Sequence, residues 1–123
     1  MRTEKDSMGE RQVPDKAYYG IHTVRSLENF NISGEAMPKE LIYGMVRLKR
    51  ACAKANAGLG LLPEDKADAI CKACDRVLAG EFDGAFGIDV FQAGSGTSSH
   101  MNVCEVLANI ACEELGGKKG DRK

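Results

Sequence analysis

The sequence predicts a mainly α-helical fold: a small orthogonal bundle of three main helices, preceded by an extended N-terminal arm and with at most a short strand pair. Beyond residue 37, apolar residues recur at steps of three and four, the spacing that places them on one face of an α-helix. Prolines stand at the starts of two of these segments and glycines at the ends of all three. Residues 1–37, in contrast, are polar and show no sustained helical period.

The arm, residues 1–37, comes first in the chain. Gly9, Pro14, Gly20 and Gly34 divide it into short pieces. We therefore expect extended chain with a short strand pair at most, or a single helical turn around residues 16–23. An arm of this length buries little surface against itself, so we expect it to lie along the rest of the domain or along another subunit.

The helical part, residues 38–123, begins with two amphipathic helices. Pro38 opens the first, which Gly58 and Gly60 close, and Pro63 opens the second, which Gly80 ends. The expected buried stripe of the first helix is Leu41 or Ile42, Met45, Leu48, Cys52, Ala55 and Leu59. The expected stripe of the second is Ala67, Ile70 or Cys71, Cys74, and Val77 or Leu78.

The third helix is predicted to run from about Thr97 to Leu115, with two glycines after it as a stop. Its apolar residues lie nearly all round, which indicates that it is covered on most sides. The residues between the second and third helices, 81–94, have loop chemistry.

Composition excludes several classes of protein. Seventeen basic and eighteen acidic residues give a formal charge of −1, so the basic footprint of a nucleic-acid-binding protein is absent. No apolar run approaches the ~20 residues that a membrane-spanning helix needs, and the charged N-terminus is unlike a signal peptide. Five cysteines, an odd number, occupy positions typical of helix interiors, which indicates reduced thiols and a cytoplasmic protein.

Cys71 and Cys74 have the spacing of a pair of metal ligands. They lie on an apolar helical stripe, and no two further ligands follow at close spacing. We therefore expect both thiols to pack in the core and expect no metal site.

The clearest functional signal is the Gly-Ser-Gly-Thr turn, residues 94–97, which leads directly into the third helix. A helix that begins on Thr97 and Ser98 presents unpaired N–H groups, hydroxyl donors and the positive end of its dipole, a combination suited to a carboxylate. Plain N-capping explains the hydroxyls equally well. The two glycines favour a ligand, because they strip the approach of side chains.

This block carries a resemblance to a known family. With Met-Asn at 101–102 and Glu-Val-Leu-Ala-Asn at 105–109, it is similar to the first signature region of the fumarase/aspartase superfamily. Val-Pro at 13–14, Tyr-Tyr-Gly-Ile-His-Thr at 18–23 and Glu-Asn-Phe at 28–30 are similar to the opening of aspartate ammonia-lyases and class II fumarases. Tyr19 and His22 look more like the aspartases, since fumarases commonly carry Trp and Gln there. The resemblance covers essentially all of residues 1–123, as an N-terminal domain without the central helical-bundle and C-terminal domains.

The resemblance implies a reversible β-elimination that gives fumarate from a dicarboxylic acid, with ammonia as the leaving group in aspartases and with no metal or organic cofactor. Thr97 would donate its hydroxyl to a substrate carboxylate, and Ser95, Gly96 and Ser98 would shape the same wall. In the family the general base lies on a loop far downstream, and active sites are assembled from three subunits of a tetramer. We therefore expect no catalytic residue in these 123 residues and no activity from them alone.

The possible secondary contributors, on the same grounds, are His100, Asn102 and Arg25. His100 stands where the family usually carries Asn, as does Cys104, and it would either donate to the ligand or fill space. Asn102 and Glu105 match the family pattern, and we expect structural hydrogen bonds from them. Arg25 would add positive potential near the anion site.

The sequence thus predicts the N-terminal part of an aspartate ammonia-lyase, with L-aspartate or fumarate as its ligand. A class II fumarase fragment is one alternative, and a truncated, non-catalytic oligomerisation module is another. We also expect a homo-oligomer, a tetramer in the full-length form by resemblance and a dimer or higher for these residues, because exposed apolar helix faces drive self-association. Neither nucleic acid nor membrane is expected as a partner.

Overall fold

The computed structural model describes residues 1–92 and 94–121, and within them it has four α-helices and one antiparallel strand pair. The strands are β1 (Arg2–Asp6) and β2 (Gly9–Val13), and the helices are α1 (Ile21–Asn29), α2 (Lys39–Gly58), α3 (Glu64–Leu78) and α4 (Thr97–Glu114). The predicted fold class, mainly helical with a short strand pair, is confirmed. None of these helices is long and apolar enough to cross a membrane.

The core lies where α2, α3 and α4 pack together, and α3 makes extensive contacts with both of the other helices. Its fully buried members are small or β-branched side chains, notably Val46, Ala73, Val77, Val103, Val106 and Ile110. Burying one such valine or isoleucine contributes about 1.5–3 kcal/mol. α4 also contacts α1 on a further side, so the expectation that this helix is covered on most sides is confirmed.

The arm is more ordered than the sequence indicated. β1 and β2 pair from Arg2 opposite Val13 to Asp6 opposite Gly9, and α1 replaces the single turn expected around residues 16–23. The prediction of three main helices is therefore one helix short. α1 gave no local signal because Gly20, at its N-cap, has no side chain to cap it.

The buried face of α2 is shifted from the predicted stripe. Ile42, Val46 and Ala53 are buried, whereas Leu48 and Leu59 are 60% and 72% exposed. The predicted stripe does form an apolar face of α2, but α3 and α4 pack against the face beside it. We call the predicted stripe the α2 seam: Leu41, Met45, Leu48, Cys52, Ala55 and Leu59. In α3, Ala67, Cys74 and Val77 are buried as predicted.

Asp89 anchors the segment that leads to α4. Its carboxylate accepts backbone N–H groups of Phe91 at 2.9 Å, Ser33 at 2.7 Å and Gly34 at 3.0 Å, and the Ser33 hydroxyl at 2.9 Å. Burial raises the pKa of Asp89, but these hydrogen bonds outweigh it and lower the pKa to about 2. The ionised carboxylate therefore ties the loop after α1 to the approach to the Gly-Ser-Gly-Thr turn.

Candidate anion-binding turn at the start of α4

The Gly-Ser-Gly-Thr turn takes its shape from Gly96. This residue has φ +78°, in the left-handed region that favours glycine, and its carbonyl accepts the His100 N–H at 3.0 Å. α4 begins at the next residue, and no side chain caps it from the Gly96 position. A Cβ built on Gly94 or Gly96 would meet no atom within 4 Å. The turn is thus open to an incoming ligand.

Two hydroxyls and two backbone amides face this opening. Thr97 and Ser95 are exposed, and their hydroxyl oxygens are 3.1 Å apart. No described residue accepts a hydrogen bond from the backbone N–H of Thr97 or Ser98. These are the first orphan donors of the helix, at the positive end of its dipole. The arrangement has the geometry to bind a carboxylate.

Gln92 supplies an acceptor for the third backbone N–H of α4, that of Ser99. Its Oε1 accepts both the backbone N–H and the hydroxyl of Ser99, each at 3.0 Å. Ser98 and Ser99 are both buried residues, so most of the opening is lined by Ser95 and Thr97. The capping role of Gln92 has no sequence signal, because a glutamine seven residues before its partner forms no recognised local motif.

Asn102 and Glu105 fasten α4 to α1 instead of facing the turn. Asn102 is 0% exposed, and its Nδ2 donates to the Ala85 carbonyl at 3.1 Å and to Thr23 Oγ1 at 3.3 Å. Glu105 accepts the backbone N–H groups of His22 at 3.0 Å and Thr23 at 2.9 Å, and the Thr23 hydroxyl at 2.6 Å. The expectation of structural hydrogen bonds from both residues is confirmed.

Arg25 lies in the joint between α1 and the hairpin. It is only 9% exposed, and its Nε and Nη2 donate to the two carboxylate oxygens of Asp6, both at 2.8 Å. The hydrogen bond from Arg25 lowers the pKa of Asp6. The guanidinium also donates to the Gly9 carbonyl at 3.2 Å. A contribution of Arg25 to the anion site stays a prediction.

His100 lies on the exposed side of α4, one turn into the helix. Its Nε2 is 2.8 Å from Lys49 Nζ of α2 and 3.6 Å from Cys104 Sγ, one turn further along α4. The ring therefore belongs to a polar cluster between two helices. Among the residues that the structure describes, no group of three or more His, Cys, Asp or Glu side chains could hold a metal ion.

Comparison with known proteins places these features in a family. A family model described as lyase matches residues 9–121. The class II fumarate hydratases of Halobacterium salinarum and Chromobacterium violaceum are 54% identical over 121 residues and 55% identical over 120 residues, and each match covers 98% of this chain and 26% of the relative. The solved class II fumarase from Schistosoma mansoni superposes with a TM-score of 0.94 at 39% identity, over 98% of this chain and 26% of that one. The chain thus spans about a quarter of the length of these relatives.

Proposed function

The chain belongs to the lyase family of the fumarase/aspartase superfamily, and from that premise we propose that it is the N-terminal part of a class II fumarate hydratase. Such an enzyme adds water to fumarate and removes it from L-malate. The relatives reported above carry the fumarate hydratase name. They support this alternative better than the aspartate ammonia-lyase reading, which rested on Tyr19 and His22.

The observation that carries the proposal is the open start of α4. The elimination removes a weakly acidic C–H proton next to a carboxylate, so negative charge builds up on the carboxylate oxygens. Donors already aimed at those oxygens stabilise that charge without reorganising. The Thr97 hydroxyl is such a donor, as are the N–H groups of Thr97 and Ser98, for which the described residues supply no acceptor.

The turn itself supplies binding and no general base. Within the described residues, the Ser95 and Thr97 hydroxyls hydrogen-bond to each other, and the nearby Ser99 hydroxyl donates to the Gln92 side-chain amide. We propose that residues 1–123 alone turn over neither L-malate nor L-aspartate. Fumarate absorbance measured with each acid tests this, and clear turnover by the chain would overturn it.

The binding role is best tested in an assembled enzyme. The chain would replace the matching segment of the Chromobacterium violaceum fumarate hydratase, and the chimera would be assayed with L-malate and with L-aspartate. We expect activity on L-malate, and a loss of about 10²–10³ in kcat when Thr97→Val removes one donor to the developing charge. Thr97→Ser keeps the hydroxyl and is the matched control. Equal kcat for the Val and Ser variants would refute the role of Thr97, and activity on L-aspartate alone would favour the aspartase reading.

A second candidate, an association module, is favoured by the α2 seam. Its leucines are among the exposed large hydrophobic side chains of the described chain, and contiguous exposed apolar surface marks protein–protein contacts. We propose that the chain forms a homo-oligomer through this face. Sedimentation should show a dimer or larger species that Leu48→Gln weakens and Lys54→Gln, also on the exposed side of α2, leaves intact. A monomer in the unmodified chain would contradict the proposal.

A further inference from the structure

A cluster of three reactive side chains lies beside the Gly-Ser-Gly-Thr turn. Lys49 Nζ of α2 and Cys104 Sγ of α4 both approach Nε2 of His100, at 2.8 and 3.6 Å. His100 and Cys104 are four residues apart, so they share one face of α4. His100 is exposed, and Lys49 and Cys104 are half-buried, so a small solute can reach all three.

The contact with Lys49 assigns a role to one ring nitrogen. A lysine ammonium donates and never accepts, so in this contact Nε2 of His100 is the acceptor. The same lone pair lies within hydrogen-bonding distance of the Cys104 thiol. A base is therefore in place next to a nucleophile, with a cation at its other side.

We propose that Cys104 adds covalently to the double bond of fumarate, with Lys49 holding a carboxylate of the fumarate and His100 carrying the proton. The identity of the electrophile, an α,β-unsaturated dicarboxylate, rests on the proposed function. The product is a thioether in which the sulfur bears a succinyl group.

The step balances without an oxidant or reductant. A carboxylate that binds the Lys49 ammonium draws it from Nε2 of His100, which then takes the thiol proton. The sulfur of Cys104 forms a C–S bond with one alkene carbon while the π electron pair moves to the other carbon and its carboxylate. His100 returns the proton to that second carbon, so one thiol and one fumarate give one saturated adduct.

No other cysteine of the described residues has an imidazole within hydrogen-bonding distance of its thiol. Cys52 is exposed, and its thiol has no hydrogen-bond partner among the described residues. Burial raises the pKa of Cys74 to about 11, and the Cys112 thiol donates to the Asp121 carbonyl at 3.8 Å. Selectivity for Cys104 over the more exposed Cys52 is therefore the signature of the cluster.

The test is incubation of the 123-residue chain with fumarate, followed by intact mass and peptide mapping. We expect one adduct, heavier by one fumaric acid, on Cys104 before any on Cys52. His100→Asn should slow the addition about 100-fold, the low end of what a positioned base contributes. Lys49→Met should slow addition of fumarate several-fold but should not slow the reaction with the uncharged N-ethylmaleimide, which cannot draw the ammonium from Nε2 of His100.

Equal labelling of Cys52 and Cys104, or an unchanged rate in His100→Asn, would overturn the inference. Lys49→Met variants that lose reactivity with fumarate and N-ethylmaleimide alike would overturn the role of Lys49. The adduct is measured without turnover. An adduct with an inactive chimera would count against the proposed function alone, and an active chimera without an adduct would count against this inference alone.

Discussion

Replacing Glu105 by alanine should destabilise the fold more than any other surface-accessible change in α4. The carboxylate accepts three hydrogen bonds from His22 and Thr23 at the start of α1. A buried donor left without an acceptor costs about 1–3 kcal/mol. Glu105 is half-buried, so water can enter the vacated space, the low end applies to each donor, and the loss is about 3 kcal/mol.

That loss is a large share of the free energy of unfolding, which is about 5–15 kcal/mol for a domain. For a chain of this size 1 kcal/mol corresponds to about 4 °C in Tm, so Glu105→Ala should lower Tm by about 12 °C. Circular dichroism melts and urea titrations measure both quantities. Glu105→Gln keeps one acceptor oxygen, so its Tm should lie between those of the unmodified chain and Glu105→Ala.

Glu114→Ala is the matched control on the same helix. It removes a surface ion pair with Arg76, 3.2 Å long, which contributes at most about 1 kcal/mol. If Glu105→Ala and Glu114→Ala had equal effects, the argument that Glu105 caps α1 would be refuted.

The remaining predictions concern pH, thiol reactivity and the turn. Because the pKa of Asp89 is lowered from 3.8 to about 2, its ionised form stabilises the fold above pH 4, and that stability should be lost between about pH 4 and 2. Urea titrations should show that Asp89→Asn has a lower free energy of unfolding at neutral pH and that this free energy changes less between pH 4 and 2 than in the unmodified chain. The same pH dependence in both proteins would contradict this. Iodoacetamide should modify Cys74 more slowly than Cys52, because burial raises the pKa of Cys74 to about 11 and leaves little thiolate; mass spectrometry would expose the reverse order. Gly96→Ala should cost about 1–2 kcal/mol because its φ is left-handed, whereas Gly94→Ala should melt like the unmodified chain.

Features with a local signal were predictable from the sequence. The three long helices follow from apolar spacing, which proline opens in α2 and α3 and glycine closes in all three. α4 starts at Thr97 as expected and ends one residue before the predicted Leu115. The turn before α4 was equally visible, since glycine and hydroxyl residues there are consecutive.

Features created by distant contacts were not predictable. The start of α1 is capped by the carboxylates of Glu4, from β1, and Glu105, from α4. The orientation of α2 depends on which edge α3 and α4 cover, and the 4-3 spacing of the α2 seam does not encode that choice. The contacts of Gln92 with Ser99 and of Lys49 with His100 likewise join residues that no periodicity connects.

The cap that Glu105 supplies also affects when α1 can fold during synthesis on the ribosome. The residues it caps are made 82 and 83 positions earlier. α1 has nine residues, too few to persist as an isolated helix in water. α1 therefore waits for α4 before it can fold, and a nascent chain stalled ahead of residue 105 exposes Ile21–Asn29 to proteases.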